Sequence, residues 1–505
     1  MYNGFKLTNS DSGLGRSRKY LRPVFCPGFR GLGKSILPLW KIEVLALIKS
    51  ISGFRGTIGG QAGDNLTPVD VVECAAAYGS LLIERNAPKK IVIGRDARPS
   101  GWIVSRLTIS TLLAMGFDVI DLGLSTTPTV ELAVPALAAG GGIIITASHN
   151  PKNWNALKFL NERGDFISPA DGKRVLSILA DGGFRFSEVD DLGRYEQQSG
   201  WIERHVEAIL ALDYIDVEAI RKRKFKVVVD PVNSTGALAL PPLLESLGCR
   251  TILINEEMNG QFAHNPEPLP QHLTGLCDTV RKHSADLGIS VDPDVDRLAL
   301  VCEDGALFGE EYTLVAAADF MLSRKPGNTV SNLSSTRALR DITRQNGGQY
   351  FASAVGEVNV VEKMKAVGAV IGGEGNGGVI LPDLHYGRDA LAGVALILGH
   401  LAEQGVTLSE LKKRYPAYAM IKDKVELTPD LDVDGLLEGL KARFSAEECN
   451  TEDGLKVDFK EGWVHLRKSN TEPIVRIYSE ADTEAAAQAL VDRIKTEMNA
   501  IALKS

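Results

Sequence analysis

Cysteine is sparse and scattered in this 505-residue chain: Cys26, Cys74, Cys249, Cys277, Cys302 and Cys449 form no Cys-x-x-Cys pair. That spacing argues against a disulfide framework and against a cysteine zinc site, and it predicts reduced thiols in a cytoplasmic protein. Long apolar runs are lacking as well. The most apolar N-terminal stretch, Ile36 to Ile48, is broken by Lys41 and Glu43 and is too short to span a bilayer. It has no small-residue cleavage site after a clean apolar core, so no secretory signal is expected. Positive charge is not in excess either: the formal net charge is −8. Neither nucleic acid nor an anionic membrane is therefore expected as a partner. Any anionic substrate has to be held by local basic residues against the average field.

What is present is ordinary globular composition, 44% apolar and 24% charged, which excludes extensive disorder. The length exceeds what one core supports and implies roughly three to four compact units. Residues 1–45 stand apart. Arg16, Arg18, Lys19, Arg22, Arg30, Lys34 and Lys41 sit among few acids with no sustained period, and they read as a disordered extension. An organelle transit peptide has a similar composition. Gly28 to Ser35 spells the literal P-loop string G-x-x-x-x-G-K-[ST]. A working P-loop needs a strand before it and a helix after it, but Pro23 and Pro27 spoil the first and Pro38 the second. The match is set aside.

From residue 46 the pattern becomes regular. Short β-branched runs at 90–95, 117–122 and 142–146 alternate with helical stretches at 101–115 and 128–138, which predicts parallel strands with crossover helices. The alternation recurs with strands near 225–230, 250–254 and 287–291, and again near 328–333, 349–353 and 369–372. The last block alternates strand-like runs with two helical stretches and reads as α+β. The expected architecture is three similar α/β domains and a C-terminal α+β domain around a central cleft. The divisions are 46–212, 213–308, 309–412 and 413–505.

Each block delivers a polar loop at a strand end, where open α/β sheets bind ligands. In the first, the apolar run Gly142 to Ile145 enters Thr146-Ala147-Ser148-His149-Asn150-Pro151, a rigid base for a nucleophilic serine. By itself, Ser-His-Asn is equally a polar turn. In the second, Asp292-Pro293-Asp294-Val295-Asp296-Arg297 puts three carboxylates on one face of an extended segment. Three such anions repel unless a cation sits among them, and an all-oxygen set suits Mg²⁺. An EF-hand also begins D-x-D-x-D, but its obligatory sixth-position Gly is Arg297 here, and a strand-like run follows. In the third block, Gly372 to Gly378 lets a ligand approach the backbone, with Glu374 and Asn376 suited to sugar hydroxyls. In the fourth, Arg467-Lys468-Ser469-Asn470-Thr471 and Arg476 concentrate phosphate-binding groups.

The serine string, with Asn155 and Lys158 downstream, closely resembles the active-site signature of the α-D-phosphohexomutases, which include phosphoglucomutases, phosphomannomutases and phosphoglucosamine mutases. The other loops fall in that family's order. The aspartate loop is similar to D-G-D-x-D-R with Pro293 for Gly. The phosphate loop is similar to R-x-S-[GN]-T. Ser52 to Thr57 resembles an N-terminal segment whose arginine, here Arg55, lies in the active site. Gly94 to Ser100 resembles another first-domain motif, read as structural.

The resemblance implies that Ser148, beside His149, carries a transferable phosphate and completes the shell of Mg²⁺ on Asp292, Asp294 and Asp296. It implies that Lys158 is a general acid or base and that Arg297 binds the phosphate. Glu374 and Asn376 would grip the sugar, and Arg467, Ser469, Asn470, Thr471 and Arg476 the non-reacting phosphate. A hexose 1,6-bisphosphate would be both intermediate and activator. The sugar loop departs from the family's G-E-x-S-G-H, with Asn376 for Ser and Gly378 for His. That form and Val355 to Asn359 resemble an archaeal and bacterial branch, and by that analogy phosphoglucosamine mutase is favoured over phosphomannomutase or phosphoglucomutase. A phosphoserine-dependent sugar phosphatase and a sugar-phosphate sensor are readings of other classes. The partner expected is a small sugar phosphate, and no oligomeric state follows.

Overall fold

Short β-branched runs alternating with apolar-faced helices build the same sheet three times. The computed structural model describes residues 47–50, 53–426, 432–468 and 474–502. The expected extension 1–45 with its P-loop string lies outside the described residues, as do Ser469, Asn470 and Thr471.

In the first sheet the central order is Asp118–Leu124, Lys90–Arg95, Gly141–Ile145, Trp154–Leu160. The second runs Arg250–Leu253, Lys226–Asp230, Leu287–Val291, Leu298–Cys302, and the third Tyr350–Ser353, Asn328–Asn332, Ala369–Glu374, Gly378–Ile380. Three strands of each set are parallel, joined by crossover helices as expected. The fourth is antiparallel to the third in every case, which corrects the expectation of parallel strands alone. No helix lies between third and fourth strands, and a short loop can only return the chain antiparallel. Those short loops are the serine, aspartate and glutamate loops.

The first sheet is extended on one edge by Gly53–Thr57 and Leu47–Ser50, with Gly53–Thr57 antiparallel to Trp154–Leu160. This pairing sets Arg55 opposite Ala156 and Gly53 opposite Lys158. The fourth block is an antiparallel sheet covered by the helices Val433–Arg443 and Glu484–Ala502, matching the expected α+β unit. Its Arg467 pairs directly with Arg476 across neighbouring strands.

The second and third blocks share one apolar core, in which Val227, Leu287, Phe320, Ile371 and Leu396 belong to a single cluster. Its centre is the helix Ala390–Gln404, buried on every side from Ala390 to Leu401, as an all-round apolar sequence requires. Asp389 caps it, accepting the N–H groups of Leu391 at 2.8 Å and Ala392 at 3.1 Å. Among the described residues no helix is long and apolar enough to cross a membrane, and Cys74, Cys249, Cys277, Cys302 and Cys449 are free thiols.

Candidate active site

Ser148 sits at the tip of the first hairpin with φ +49°, a left-handed backbone that costs a non-glycine residue about 1–2 kcal/mol. Local bonds hold it there. The Ser148 N–H donates to Thr146 Oγ1 at 2.9 Å, and Thr146 Oγ1 donates to Asp96 Oδ2 at 2.6 Å. Asp96 also accepts Arg98 Nε at 3.0 Å. Arg98 then donates to four carbonyls around the loop: Ser148 at 2.5 Å, Asn150 at 2.6 Å, Pro151 at 2.7 Å and Trp154 at 3.0 Å. Buried and fully directed at backbone, it is a brace for the serine. The Gly94 to Ser100 motif, read as structural from sequence, therefore acts directly on the serine loop.

The hydroxyl of Ser148 donates to Asp292 Oδ2 at 2.6 Å and lies 3.4 Å from His149 Nδ1. Burial, followed by the Arg297 and Arg55 charges, pushes His149 down to about 2, so its ring is neutral. Arg55 reaches the same loop, donating to Asn150 Oδ1 at 3.0 Å.

Asp292, Asp294 and Asp296 are wholly buried, and one oxygen of each lies within 4.8 Å of the others. Protein donors engage them mostly on one side. Asp292 Oδ1 accepts the N–H groups of Asp296 and Arg297, each at 3.1 Å. Asp294 Oδ2 accepts Lys158 Nζ at 2.8 Å and Thr127 Oγ1 at 2.6 Å. Asp294 Oδ1 and Asp296 Oδ1 have no hydrogen-bond donor. Burial raises the Asp292 carboxyl well above its ordinary value, and Asp296 and Asp294 add to the shift. Buried carboxylate oxygens without donors, beside a carboxyl strained by like charge, fit a hard divalent cation. The loop's one left-handed residue is Val295, φ +64°; Pro293 instead offers its carbonyl to Ser234 Oγ at 2.7 Å and Thr235 Oγ1 at 2.8 Å.

Lys158, on the strand returning from the serine loop, is also 3.8 Å from Asp296. Burial works to lower its pKa, but Asp294 and Asp296 outweigh it and the net shift is upward. The ammonium is therefore charged and ready to donate a proton.

Glu374 accepts Asn332 Nδ2 at 2.9 Å and the Gly356 N–H at 3.2 Å on one oxygen. Asn376 turns its amide into its own loop, 3.4 Å from Glu374 and accepting the Gly378 N–H at 3.2 Å. Glu374 and Asn376 line a cavity of about 410 Å³ together with His149, Arg297, Arg467 and Arg476. Loops from all four blocks thus face one space, large enough for a phosphorylated hexose and no larger than ordinary small-molecule sites.

Four family descriptions match in succession. Phosphoglucomutase/phosphomannomutase alpha/beta/alpha domain I covers residues 48–185, domain II 203–305, domain III 309–418, and the C-terminal domain 420–497. The chain belongs to this family. It is accordingly a phosphohexomutase-type isomerase. A relative from Thermococcus kodakarensis, described as a phosphoglucomutase/phosphomannomutase, is 35% identical over 86% of this chain and 95% of its own length. A probable phosphoglucosamine mutase of Methanopyrus kandleri is 34% identical over 87% of this chain and 95% of its own. The crystal structure of a family protein from Burkholderia thailandensis superposes with a TM-score of 0.79 at 27% identity, covering 91% of this chain and 97% of that one.

Sequence reasoning missed Arg388. Buried, it donates to Asp296 Oδ2 at 2.6 Å, Glu374 Oε2 at 2.9 Å and Glu357 Oε2 at 3.2 Å. One guanidinium therefore ties the aspartate loop to the sugar loop. The available signal was Gly378, standing where the family pattern has histidine. A Cβ there would lie 2.3 Å from Arg388 Cδ, so the arginine stem occupies the space that a side chain at 378 would need.

Proposed function

We propose that the chain interconverts hexose 6-phosphate and hexose 1-phosphate through phospho-Ser148, with a hexose 1,6-bisphosphate between the two half-reactions, and that glucosamine phosphate is the preferred sugar. The observation that carries this reading is the convergence of Ser148, the three aspartates, Glu374 and the Arg467–Arg476 pair on one cavity. We take one loop from each of the four divisions 46–212, 213–308, 309–412 and 413–505, and place the enzyme in the cytoplasm.

In the first half-reaction the bond between Ser148 Oγ and phosphorus breaks, and a bond forms to the free hydroxyl of the sugar phosphate. The departing serine oxygen needs a proton, and the charged Lys158 is suited to supply it. Neutral His149 is suited to accept a proton from a sugar hydroxyl. Arg297 Nε has no donor-acceptor partner, and its guanidinium is positioned against charge on the moving phosphoryl group. Glu374 would hold two adjacent sugar hydroxyls, while Arg467 and Arg476, with Ser469, Asn470 and Thr471, would hold the distal phosphate. The bisphosphate then turns around, and its other phosphate returns to Ser148.

Asp292, Asp294 and Asp296 would hold Mg²⁺, which when bound neutralises charge on the serine phosphate and polarises its phosphorus. Stripping the enzyme with a chelator should lower turnover at least about 100-fold, with recovery on adding Mg²⁺ in excess. Unchanged turnover in the stripped protein, verified metal-free by elemental analysis, would exclude the cation from catalysis.

The support for glucosamine is the Gly-Glu-Gly-Asn-Gly-Gly loop and the descriptions of several relatives that are 31–34% identical. Glucosamine, glucose and mannose phosphates differ at C2. Parallel coupled assays with catalytic hexose 1,6-bisphosphate should give the highest kcat/KM for glucosamine 6-phosphate. A higher value for glucose or mannose phosphate reassigns the sugar, and inorganic phosphate released faster than isomer would make the enzyme a phosphatase.

A further inference from the structure

Away from the three aspartates, a second group of ligating side chains is closed off between the first and third blocks. His205 comes from the helix Trp201–Leu210, and Thr129 and Glu131 from the helix Thr127–Ala136. His385 and Asp389 come from the segment leading into the helix Ala390–Gln404. His205 Nε2 lies 2.8 Å from Asp389 Oδ2, and His385 Nε2 lies 3.1 Å from the same oxygen. These three ligand atoms all fall within 4.8 Å of one another.

The outer nitrogens are committed as well. His205 Nδ1 is 3.0 Å from Thr129 Oγ1, and His385 Nδ1 is 3.2 Å from Glu131 Oε2. An acceptor on Nδ1 fixes the tautomer that leaves Nε2 free to ligate, the usual way a metal-bound histidine is oriented. Asp389 Oδ1 is occupied by the helix cap, so Oδ2 is the oxygen left for a ligand. A second, independent observation points the same way. Glu131 is 1% exposed, and neither of its carboxylate oxygens has a hydrogen-bond partner of good geometry.

Charge decides what the cluster lacks. Two buried carboxylates with one protonated histidine remain net negative, whereas two neutral imidazoles with a divalent cation make the group neutral. Burying uncompensated charge is costly. Burial lowers the His385 pKa, yet hydrogen bonds to Asp389 and Glu131 raise it to about 10, a measure of the local negative field.

We propose that His205, His385 and Asp389 form a second metal site, selective for a transition-metal dication such as zinc, with Glu131 and Thr129 orienting the two imidazoles. Two imidazole nitrogens with one carboxylate suit zinc and its neighbours and disfavour magnesium. The ion enters from a surface cavity that His385 lines with Arg163, Asp165, Lys365 and Tyr386. Bound, it pins the backbone on both sides of the reaction centre. Arg388 adjoins Asp389, and Thr127, on the same helix as Glu131, donates to Asp294.

The test uses the full chain made without a histidine tag and purified in buffers with magnesium as the only added metal. Plasma mass spectrometry should find about one transition-metal equivalent per chain after gel filtration, zinc foremost. The Asp292→Ala/Asp294→Ala variant should keep it, and the His205→Gln/His385→Gln variant should lose it. Cobalt loaded into metal-free wild type should give visible ligand-field bands that the histidine variant lacks. Wild-type protein holding below about a tenth of an equivalent, and taking up neither zinc nor cobalt, overturns the proposal whether or not a variant folds. So does undiminished metal in a folded histidine variant. Metal content is read without any assay of turnover, so this result stands apart from the fate of the mutase reading.

Discussion

Ser148→Ala should leave a folded protein whose sugar-phosphate interconversion falls on the order of 10⁴-fold or more, as when other enzymes lose a covalent nucleophile. Alanine offers no oxygen to carry the phosphoryl group, so both half-reactions lose their shared intermediate. The loop itself should persist. Arg98 grips carbonyls, and Thr146 accepts a main-chain N–H; none of these bonds uses the serine hydroxyl. The one side-chain bond lost is the 2.6 Å contact to Asp292. Labelled hexose 1,6-bisphosphate should transfer its phosphoryl group to wild type and not to the variant, while calorimetry should still detect sugar-phosphate binding through Glu374, Arg467 and Arg476. Turnover close to wild type in Ser148→Ala would sink the covalent mechanism, and labelling of the variant would move the phosphoryl carrier to another residue.

What the sequence could show followed from how local each device is. The serine and aspartate loops are contiguous strings at the ends of apolar strands, so their residues declare themselves through spacing. Even there the antiparallel return strands were harder to see. Trp154 to Leu160 carries Lys158 within a mixed run, and what makes it a strand is its pairing on both sides, with Gly141–Ile145 and Gly53–Thr57. Contacts between distant segments left no such trace. Arg98 belonged to a recognisable motif, but its work is done on carbonyls some fifty residues onward. Thr127 meets Asp294 across 167 positions. Only a three-dimensional arrangement brings His205 to Asp389. The phosphate loop was legible in the opposite sense: Ser469, Asn470 and Thr471 were assigned by pattern and lie outside the described residues, whereas the flanking Arg467 and Arg476 line the cavity.

The same distinction governs Arg388, which the sequence hid and the packing makes central. Arg388→Ala should reduce stability by about 3–5 kcal/mol, the usual cost of removing one partner from a buried ion pair, and kcat about 10²–10³-fold. Three acceptors lose their cation at once: Asp296, Glu374 and Glu357. Of these, Glu357 is raised already, by burial first, with Arg388 opposing that shift. Removing the guanidinium raises it further. A carboxyl raised in the folded state binds protons there that the unfolded chain releases, so its destabilising effect grows as pH rises above the ordinary carboxylate range. The deficit in melting temperature against wild type should therefore be larger at about pH 7.5 than at about pH 5.5. Lysine keeps the charge but not the planar fork, so Arg388→Lys should recover part of the stability and less of the rate. Gly378→Ala supplies an independent check with the arginine retained. Its new Cβ would stand 2.3 Å from Arg388 Cδ, which forces the stem aside and should lower kcat more than it lowers melting temperature. If Arg388→Ala and Gly378→Ala both melt and turn over as wild type does, the link between the aspartate loop and the sugar loop has no part in holding the site together.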